Sequence, residues 1–359
     1  MDFSISDEQQ LIINNIRRFI REEIWPLEEQ IDPDAYTIPK ADFERLSKMT
    51  EEMGLHGLHD LDVVTRTLVA IEMAQHRAGL YDPAYGTFGT EVEERGFIGL
   101  SEPSGGADPA RAIQTKAVRD GDEWVINGRK LWTSNGDSAE WGTVYARTDP
   151  TKGRAGITAF RVPTNTPGYR VERFVQVLRS HYTCEVSFTD MRVPHSAIVG
   201  QEGGGFATAN DRLTRYRIPY AAACLGPAVR ANEMAIDWAK QRVTFGEPLA
   251  NRQSIQWMLV DNEIDIRTGR WAALQAATLA DAGKPFRFES AMAKLLCSEG
   301  AGRVVDRSMQ IFGGLGMSKD LPLERWFREL RIRRIGEGPS EIQRIIMARD
   351  ILNVGSGSA

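Results

Sequence analysis

Long apolar runs are missing from this chain of 359 residues. None approaches the ~18 consecutive apolar residues that a membrane-spanning helix needs, so no membrane span is expected. The start, "MDFSISDEQQ", is acidic and polar, which excludes a secretion signal. Cysteine is scarce. Cys184, Cys224 and Cys297 form no CxxC pair and are odd in number, so free thiols in a reducing, cytoplasmic setting are expected. Positive charge has no excess. Lys and Arg number 44 against 49 Asp and Glu, a net charge of −5, and nucleic acid is excluded as a bulk polyelectrolyte partner. Histidines number 5, and the one close pair, His56 and His59, lacks a clear third ligand. No metal site is expected, and spacing supports neither a Ser-His-Asp nor a Cys-His arrangement.

What is present is ordinary in bulk: 42% hydrophobic and 26% charged residues, as in a soluble globular protein. The length is too great for one small core and predicts two or three domains. Residues 1–95 read as helical. Ser6 with Gln9 resembles a capping box, and Leu11, Ile12, Ile16, Phe19, Ile20 and Ile24 follow at helical spacing until Pro26 closes the run. Further helices are predicted over Asp42–Met53 and Asp60–Ala78. From Gly96 the pattern becomes short and alternating, which predicts a β domain of six to eight strands over 96–205. The Asn-Gly inside "EWVINGRKLW" reads as a hairpin turn. Residues 206–353 return to helix, with long segments at 206–242, 251–282, 286–311 and 322–334 and a last helix from Ser340. Pro219 is expected to kink or interrupt the first of these. The predicted class is α+β: an N-terminal helical domain, a β-sandwich or barrel, and an antiparallel four-helix bundle. Residues 354–359 read as a tail.

Several motifs carry possible chemistry. "LSEPSGGADPA" (100–110) could cradle phosphate with bare backbone, or be an ordinary turn. "KLWTSNG" (130–136) could stack on a flat heteroaromatic ring, or hold a core tryptophan. "QRVTFGEPL" (241–249) and "QIFGGLGM" (310–317) suit a pyrophosphate, or are simple helix ends. "RIRRIGEGPSEIQR" (331–344) sets Glu337 between two glycines, where the backbone can turn sharply and another molecule can come close.

In this order the set resembles the acyl-CoA dehydrogenase family of flavoproteins, from about Phe3 to Asn353. The pieces that carry the resemblance are "LSEPSGGAD", "WVINGRKLWTSNG", "FTDMRVP", "QRVTFGEPL", "QIFGGLGM" and "EGPSEIQR". The resemblance implies FAD. Leu100, Ser101, Gly106 and Ala107 would line the flavin and its pyrophosphate. Trp132 would pack on the isoalloxazine, with Thr133 beside it and Ser134 bonding near N5. Arg242, Phe245 and Gln253 would reach a neighbouring subunit's FAD, and Gln310, Gly313 and Gly314 its adenosine half. A homo-oligomer, dimer or tetramer, is therefore expected.

Glu337 matches the family's base. It would take the α proton of an acyl-CoA thioester in a dry pocket, desolvation raising its pKa, while hydride passes to flavin N5. An electron-transfer flavoprotein would then accept the electrons. Ala107, Arg217 and Gly338 are the expected substrate contacts. Some members carry the base on a bundle helix; the matching place is Tyr216, a poor substitute. The chain departs from the pattern at Ala107, where serine is frequent, and at Pro339 and Glu341, which stand in cofactor-contacting places. A loop after "EEMGLHGL" and a helix before "GFIGLSEP" are missing, which implies a shortened N-terminal domain. The alternatives are a flavin oxidase or hydroxylase on the same fold, or a non-catalytic oligomeric binding protein derived from it.

Overall fold

Ser6 opens the first helix with both halves of the predicted capping box: its hydroxyl accepts from Gln9 N at 3.2 Å and its N–H donates to Gln9 Oε1 at 3.1 Å. The computed structural model describes residues 5–35, 38–55, 61–76, 96–178 and 182–354. His56, His59 and the "FGTEVEERG" stretch lie outside them.

Helix α1 (Asp7–Phe19) buries Ile13, Ile16 and Phe19. Pro26 is expected to close the run; it does not. A π-helical segment, Ile20–Ile24, leads into α2 (Trp25–Glu28), and Pro26 sits in the first turn of α2. The helical run stays continuous, with Trp25 N–H donating to Ile20 O, so Pro26 withdraws a donor inside the run and not at a free start. Helices α3 (Lys40–Glu52) and α4 (Val63–Met73) follow, the second capped by Asp62 Oδ1 on Thr65 N at 2.8 Å. Ile16, Ile20, Ile24, Leu46, Val69 and Met73 form their shared core.

The chain then builds one seven-stranded sheet from β1 (Phe97–Gly99), β2 (Lys116–Asp120), β3 (Glu123–Thr133), β4 (Trp141–Arg147), β5 (Ile157–Pro163), β6 (Tyr169–Gln176) and β7 (Tyr182–Pro194). The order is β1-β4-β2-β3-β7-β6, with β5 on β4. A short helix, α5 (Pro109–Ala112), lies between β1 and β2. The predicted Asn-Gly turn is wrong. Asn127 and Gly128 lie inside β3, which pairs with β2 on one side and β7 on the other. Gly128 marks a register shift instead. A Cβ there would meet Thr115 Oγ1 at 2.4 Å, so only glycine fits. The real β2–β3 turn is Gly121-Asp122, with Asp120 opposite Glu123 and Gly121 at φ +63°.

The remaining helices are α6 (Gly205–Gln241), α7 (Gln253–Asp281), α8 (Arg287–Phe312), α9 (Leu323–Arg333) and α10 (Ser340–Ile351). Between α6 and α7, strands β8 (Val243–Thr244) and β9 (Glu247–Pro248) form a small hairpin. Pro219 does not interrupt α6, which continues through it and through Pro227. Burial offsets the lost backbone bonds: Ile218, Ala221, Ala222, Leu225 and Ala228 are all in the core. That core is rich in alanine, with Ala272, Ala273, Ala276 and Ala277 on α7 and Ala293 and Ala301 on α8. Small side chains let the helix backbones approach. At Gly226 of α6 an added Cβ would sit 2.5 Å from the carbonyl carbon of Ala74 and 2.7 Å from Ile71 O, just where α4 ends.

Helices α1–α4 and the chain from Thr214 to Asn353 make one compact unit; the sheet belongs to another. The α+β class and its α, β, α order are as the sequence predicts.

Candidate active site

Six non-glycine residues among those described have positive φ. Asn135, Asn353 and Asp190 are of types that tolerate it. The other three are Trp132 (+63°), Phe245 (+50°) and Glu337 (+54°). All three are residues the sequence singles out. Bulky or long side chains adopt this conformation only at a cost of about 1–2 kcal/mol, and such strain concentrates at functional sites.

Glu337 sits in the turn between α9 and α10. Ser340 N donates to Arg334 O at 3.1 Å and closes the turn. Both flanking glycines are required, for different reasons. A Cβ on Gly336 would lie 2.7 Å from Tyr220 Oη, and one on Gly338 (φ +90°) would lie 2.8 Å from Gln343 Nε2. Three side chains tie down the turn's carbonyls. Arg217 Nε donates to Glu337 O at 3.2 Å, Gln343 Nε2 to Gly338 O at 2.8 Å, and Lys294 Nζ to Arg334 O at 3.2 Å. Glu337 itself is exposed in the chain. The dry pocket expected around it is therefore not supplied by its own turn.

Arg217, expected at the substrate, is buried beneath this turn. Burial pulls its guanidinium below the ordinary value; Glu337 pulls it up and Arg287 pushes it down. Its Nη1 is buried with no hydrogen-bond partner among the described residues. Tyr216, on the same helix, is half-buried and presents a phenol, not a carboxylate. Pro339 caps α10 and Glu341 lies exposed in its first turn.

In the sheet unit, Leu100 and Ser101 follow β1, and Leu131 N donates to Ser101 O at 2.9 Å. This joins the loop to β3 one residue before Trp132. The β3–β7 pairing steps from Lys130–Val186 to Thr133–Cys184, three residues against two. Such a bulge re-aims a side chain, and Trp132 is 54% exposed for an indole. Next to it Thr133 Oγ1 is fully buried without a hydrogen-bond partner among the described residues, while Ser134 is exposed. Gly106 and Ala107 are exposed on the loop. An added Cβ on Gly106 would lie 3.3 Å from Ser101 Oγ.

A buried ion pair fixes this loop. Lys130 Nζ donates to Glu102 Oε1 at 2.7 Å and Leu100 O at 3.3 Å, and the pair is almost wholly enclosed. Glu102 also accepts from Gln114 N, Thr115 N and Thr115 Oγ1. Burial pushes the Glu102 carboxyl up, but Lys130 and these donors hold it below its usual range. Burial pulls Lys130 down against the attraction of Glu102.

The other candidates lie on helix ends of the helical unit. Arg242 and Phe245 are not a simple helix end. Phe245 and Gly246 (φ +83°) are the two central residues of the β8–β9 hairpin, the conformation a tight two-residue turn demands. Phe245 is 98% exposed at its tip. Gln253 is the first residue of α7 and is exposed. Gln310 closes α8, Gly313 reverses the chain at φ +64°, and Gly314 follows; all three are exposed. Among the described residues no group of three or more His, Cys, Asp or Glu could hold a metal ion.

Comparison with known proteins places this geometry. The family model described as "Acyl-CoA dehydrogenase, middle domain" matches residues 98–191, and "Acyl-CoA dehydrogenase, C-terminal domain" matches 203–352. The chain belongs to the acyl-CoA dehydrogenase family. It is 34% identical to acryloyl-CoA reductase (NADH) of Anaerotignum propionicum over 385 positions, covering 98% of this chain and 96% of that protein. It is 33% identical to the mitochondrial short-chain specific acyl-CoA dehydrogenase of Bos taurus, covering 97% and 91%. The structure of butyryl-CoA dehydrogenase from Megasphaera elsdenii superposes with a TM-score of 0.84 at 33% identity, covering 98% and 100%. An alignment of 385 positions to 359 residues leaves parts of the first relative with no counterpart here.

FAD is the cofactor of this family, and residues of the chain fit it. Trp132 is half exposed on a strained bulge, and the Thr133 hydroxyl lacks a partner among the described residues. The loop from Ser101 to Ala107 exposes Gly106 and Ala107 and is rich in bare backbone. Several residues that shape the site escape sequence reasoning. Lys130 and Lys294 are lysines at buried positions of a strand and a helix, where pattern predicts apolar residues. Gln343 and Tyr220 read as ordinary helix residues. Only the alternation of β3, which turns Lys130 inward, offered a signal.

Proposed function

We propose that this protein is an FAD-dependent acyl-CoA dehydrogenase in which Glu337 takes the α proton of the thioester to give a 2-enoyl-CoA. The observation that carries the reading is the Glu337 turn. A carboxylate is held at positive φ between two glycines that close packing requires, with its own carbonyl tied to Arg217. Arg217 orients this turn. Trp132, Thr133, Ser134 and the Leu100–Ala107 loop hold the flavin, which when bound supplies the hydride acceptor for the β hydrogen. Arg242, Phe245, Gln253 and the Gln310–Gly314 turn serve a cofactor in a second subunit. An exposed face of α7 supports a homo-oligomer: Trp257, Val260, Ile264 and Trp271 recur at helical spacing and are each more than half exposed.

The acceptor is an electron-transfer flavoprotein; the chain is 30% identical, with a TM-score of 0.85, to a structure reported for the electron transferring flavoprotein of Acidaminococcus fermentans. All three cysteines are free and buried, and no described helix is long and apolar enough to cross a membrane. This supports a reducing, cytoplasmic setting. Replacing Glu337 with Gln tests the base. Anaerobic flavin reduction by a reactive acyl-CoA should slow by about 10²–10⁴-fold with FAD still bound. Unchanged reduction would remove Glu337 from its role.

A further inference from the structure

Lys294 lies on α8 with no exposure to solvent. Its ammonium has one hydrogen bond, to Arg334 O, the same carbonyl that accepts from Ser340 N to close the Glu337 turn. Other charged and titratable groups stand near it on three helices. Arg217, Tyr220 and Cys224 face it or Glu337 from α6, Glu299 stands one turn on in α8, and Glu329, Arg333 and Arg334 come from α9 and its end. These groups are largely engaged with each other. Glu299 takes Ser340 Oγ at 2.7 Å and Arg334 Nη2 at 2.9 Å, and Arg333 bonds Glu329 at 3.0 Å and covers the Tyr220 ring at 4.5 Å. Among the described residues Lys294 therefore has no ion pair of its own. A buried ammonium without one is expensive.

We propose that Lys294 is a positioning residue for the Glu337 turn: it pins the carbonyl that closes the turn and, with Arg217, sets positive charge beneath the carboxylate. The proposal rests on the reading of Glu337 as the base. Arg217, bonded to Glu337 O, and Lys294, bonded to Arg334 O, place two buried cations at the turn that carries the carboxylate, and nearby cations favour the ionised form a base must have. Glu337 in turn pulls both Arg217 and Lys294 up against their burial.

The test compares Lys294→Met, Lys294→Gln and Lys294→Arg in the FAD-loaded protein. Two readings are taken: deuterium uptake of the peptide covering residues 334–340, and the pH dependence of flavin reduction at saturating acyl-CoA. With Met or Gln, uptake in this peptide should rise about tenfold in rate while the rest of α8 stays protected. The acid limb of the reduction rate should move up by about half a pH unit or more, because the carboxylate has lost a neighbouring cation. Arginine, which keeps charge and donors, should restore the acid limb. If Met misfolds, Gln carries the same comparison.

Unchanged uptake with an unchanged acid limb would overturn the proposal, as would loosening spread evenly over the helical unit. If Glu337→Gln reduces flavin normally while Lys294→Met still loosens only the turn, the base assignment fails and the positioning of the turn stands.

Discussion

Lys294→Met should make the helical unit more stable at neutral pH. Burial pulls the Lys294 ammonium from its ordinary 10.5 down to about 8, against Cys224, Glu337 and Glu299, which pull it up; Arg217 pushes it further down. At about 1.4 kcal/mol per pKa unit, keeping this group charged in the fold costs roughly 3 kcal/mol at pH 7. Methionine has a similar volume and no charge to desolvate. It forfeits the bond to Arg334 O, worth about 1 kcal/mol, although that carbonyl keeps Ser340 N. The net gain is about 2 kcal/mol. No buried anion is orphaned, since burial pushes the neighbouring Cys224 thiol up to about 11 and keeps it neutral.

The pH dependence has a definite sign. Between about 8 and 10.5 the unfolded chain holds a proton on this lysine that the folded chain has lost. Wild-type stability therefore gains from this group as pH rises through that window. The advantage of the variant should be largest at pH 7 and mostly gone near pH 10. Urea unfolding midpoints of both proteins at pH 7 and pH 9.5 measure this. A variant less stable than wild type at pH 7, or a difference that ignores pH, would refute the reasoning. With the expected shift of the acid limb, the result would show a charge kept for function at the expense of stability.

Breaking the Lys130–Glu102 pair should act in the opposite sense. Lys130→Met leaves a buried carboxylate with its ammonium gone and should cost about 3–5 kcal/mol in urea unfolding; the double variant with Glu102→Gln should cost clearly less than the sum of the singles. Gly226→Val should destabilise by about 3 kcal/mol or more by forcing α6 off α4, measured as a fall in the thermal midpoint. Trp132→Ala should raise the FAD dissociation constant about tenfold, read by fluorescence titration. Its effect on apoprotein stability should stay within about 1 kcal/mol, because the ring is half exposed and the bulge strain is not worsened.

Long helices with regular periodicity were legible to within one or two residues: 206–242 became Gly205–Gln241, and 286–311 became Arg287–Phe312. Helix α10 begins at Ser340, as the residues predict. What failed was local chemistry overruled by neighbours. Asn127-Gly128 has the sequence of a turn, but strands on both sides hold it extended, and the turn falls at the less conspicuous Gly121-Asp122. Phe245-Gly246 reads as a helix end because nothing in the sequence says that Val243–Thr244 and Glu247–Pro248 pair. At the site, the glycines around Glu337 were legible as a demand for close approach. The groups they approach were not: Tyr220 Oη comes from α6, far off in sequence, and Gln343 Nε2 folds back from the second turn of α10. Lys294, buried at an apolar position of α8, is invisible to periodicity because pattern reading assigns lysine to the surface; Lys130 is betrayed only by the alternation of β3.

The central claim is that this chain oxidises an acyl-CoA with bound FAD. The most direct measurement is the visible absorption spectrum of the purified protein, recorded without oxygen before and after a panel of acyl-CoAs of different chain length and branching. The expected result is a yellow protein whose flavin band is bleached by at least one class of acyl-CoA. A yellow protein bleached by none, or a colourless one that cannot be reconstituted with FAD, would contradict it.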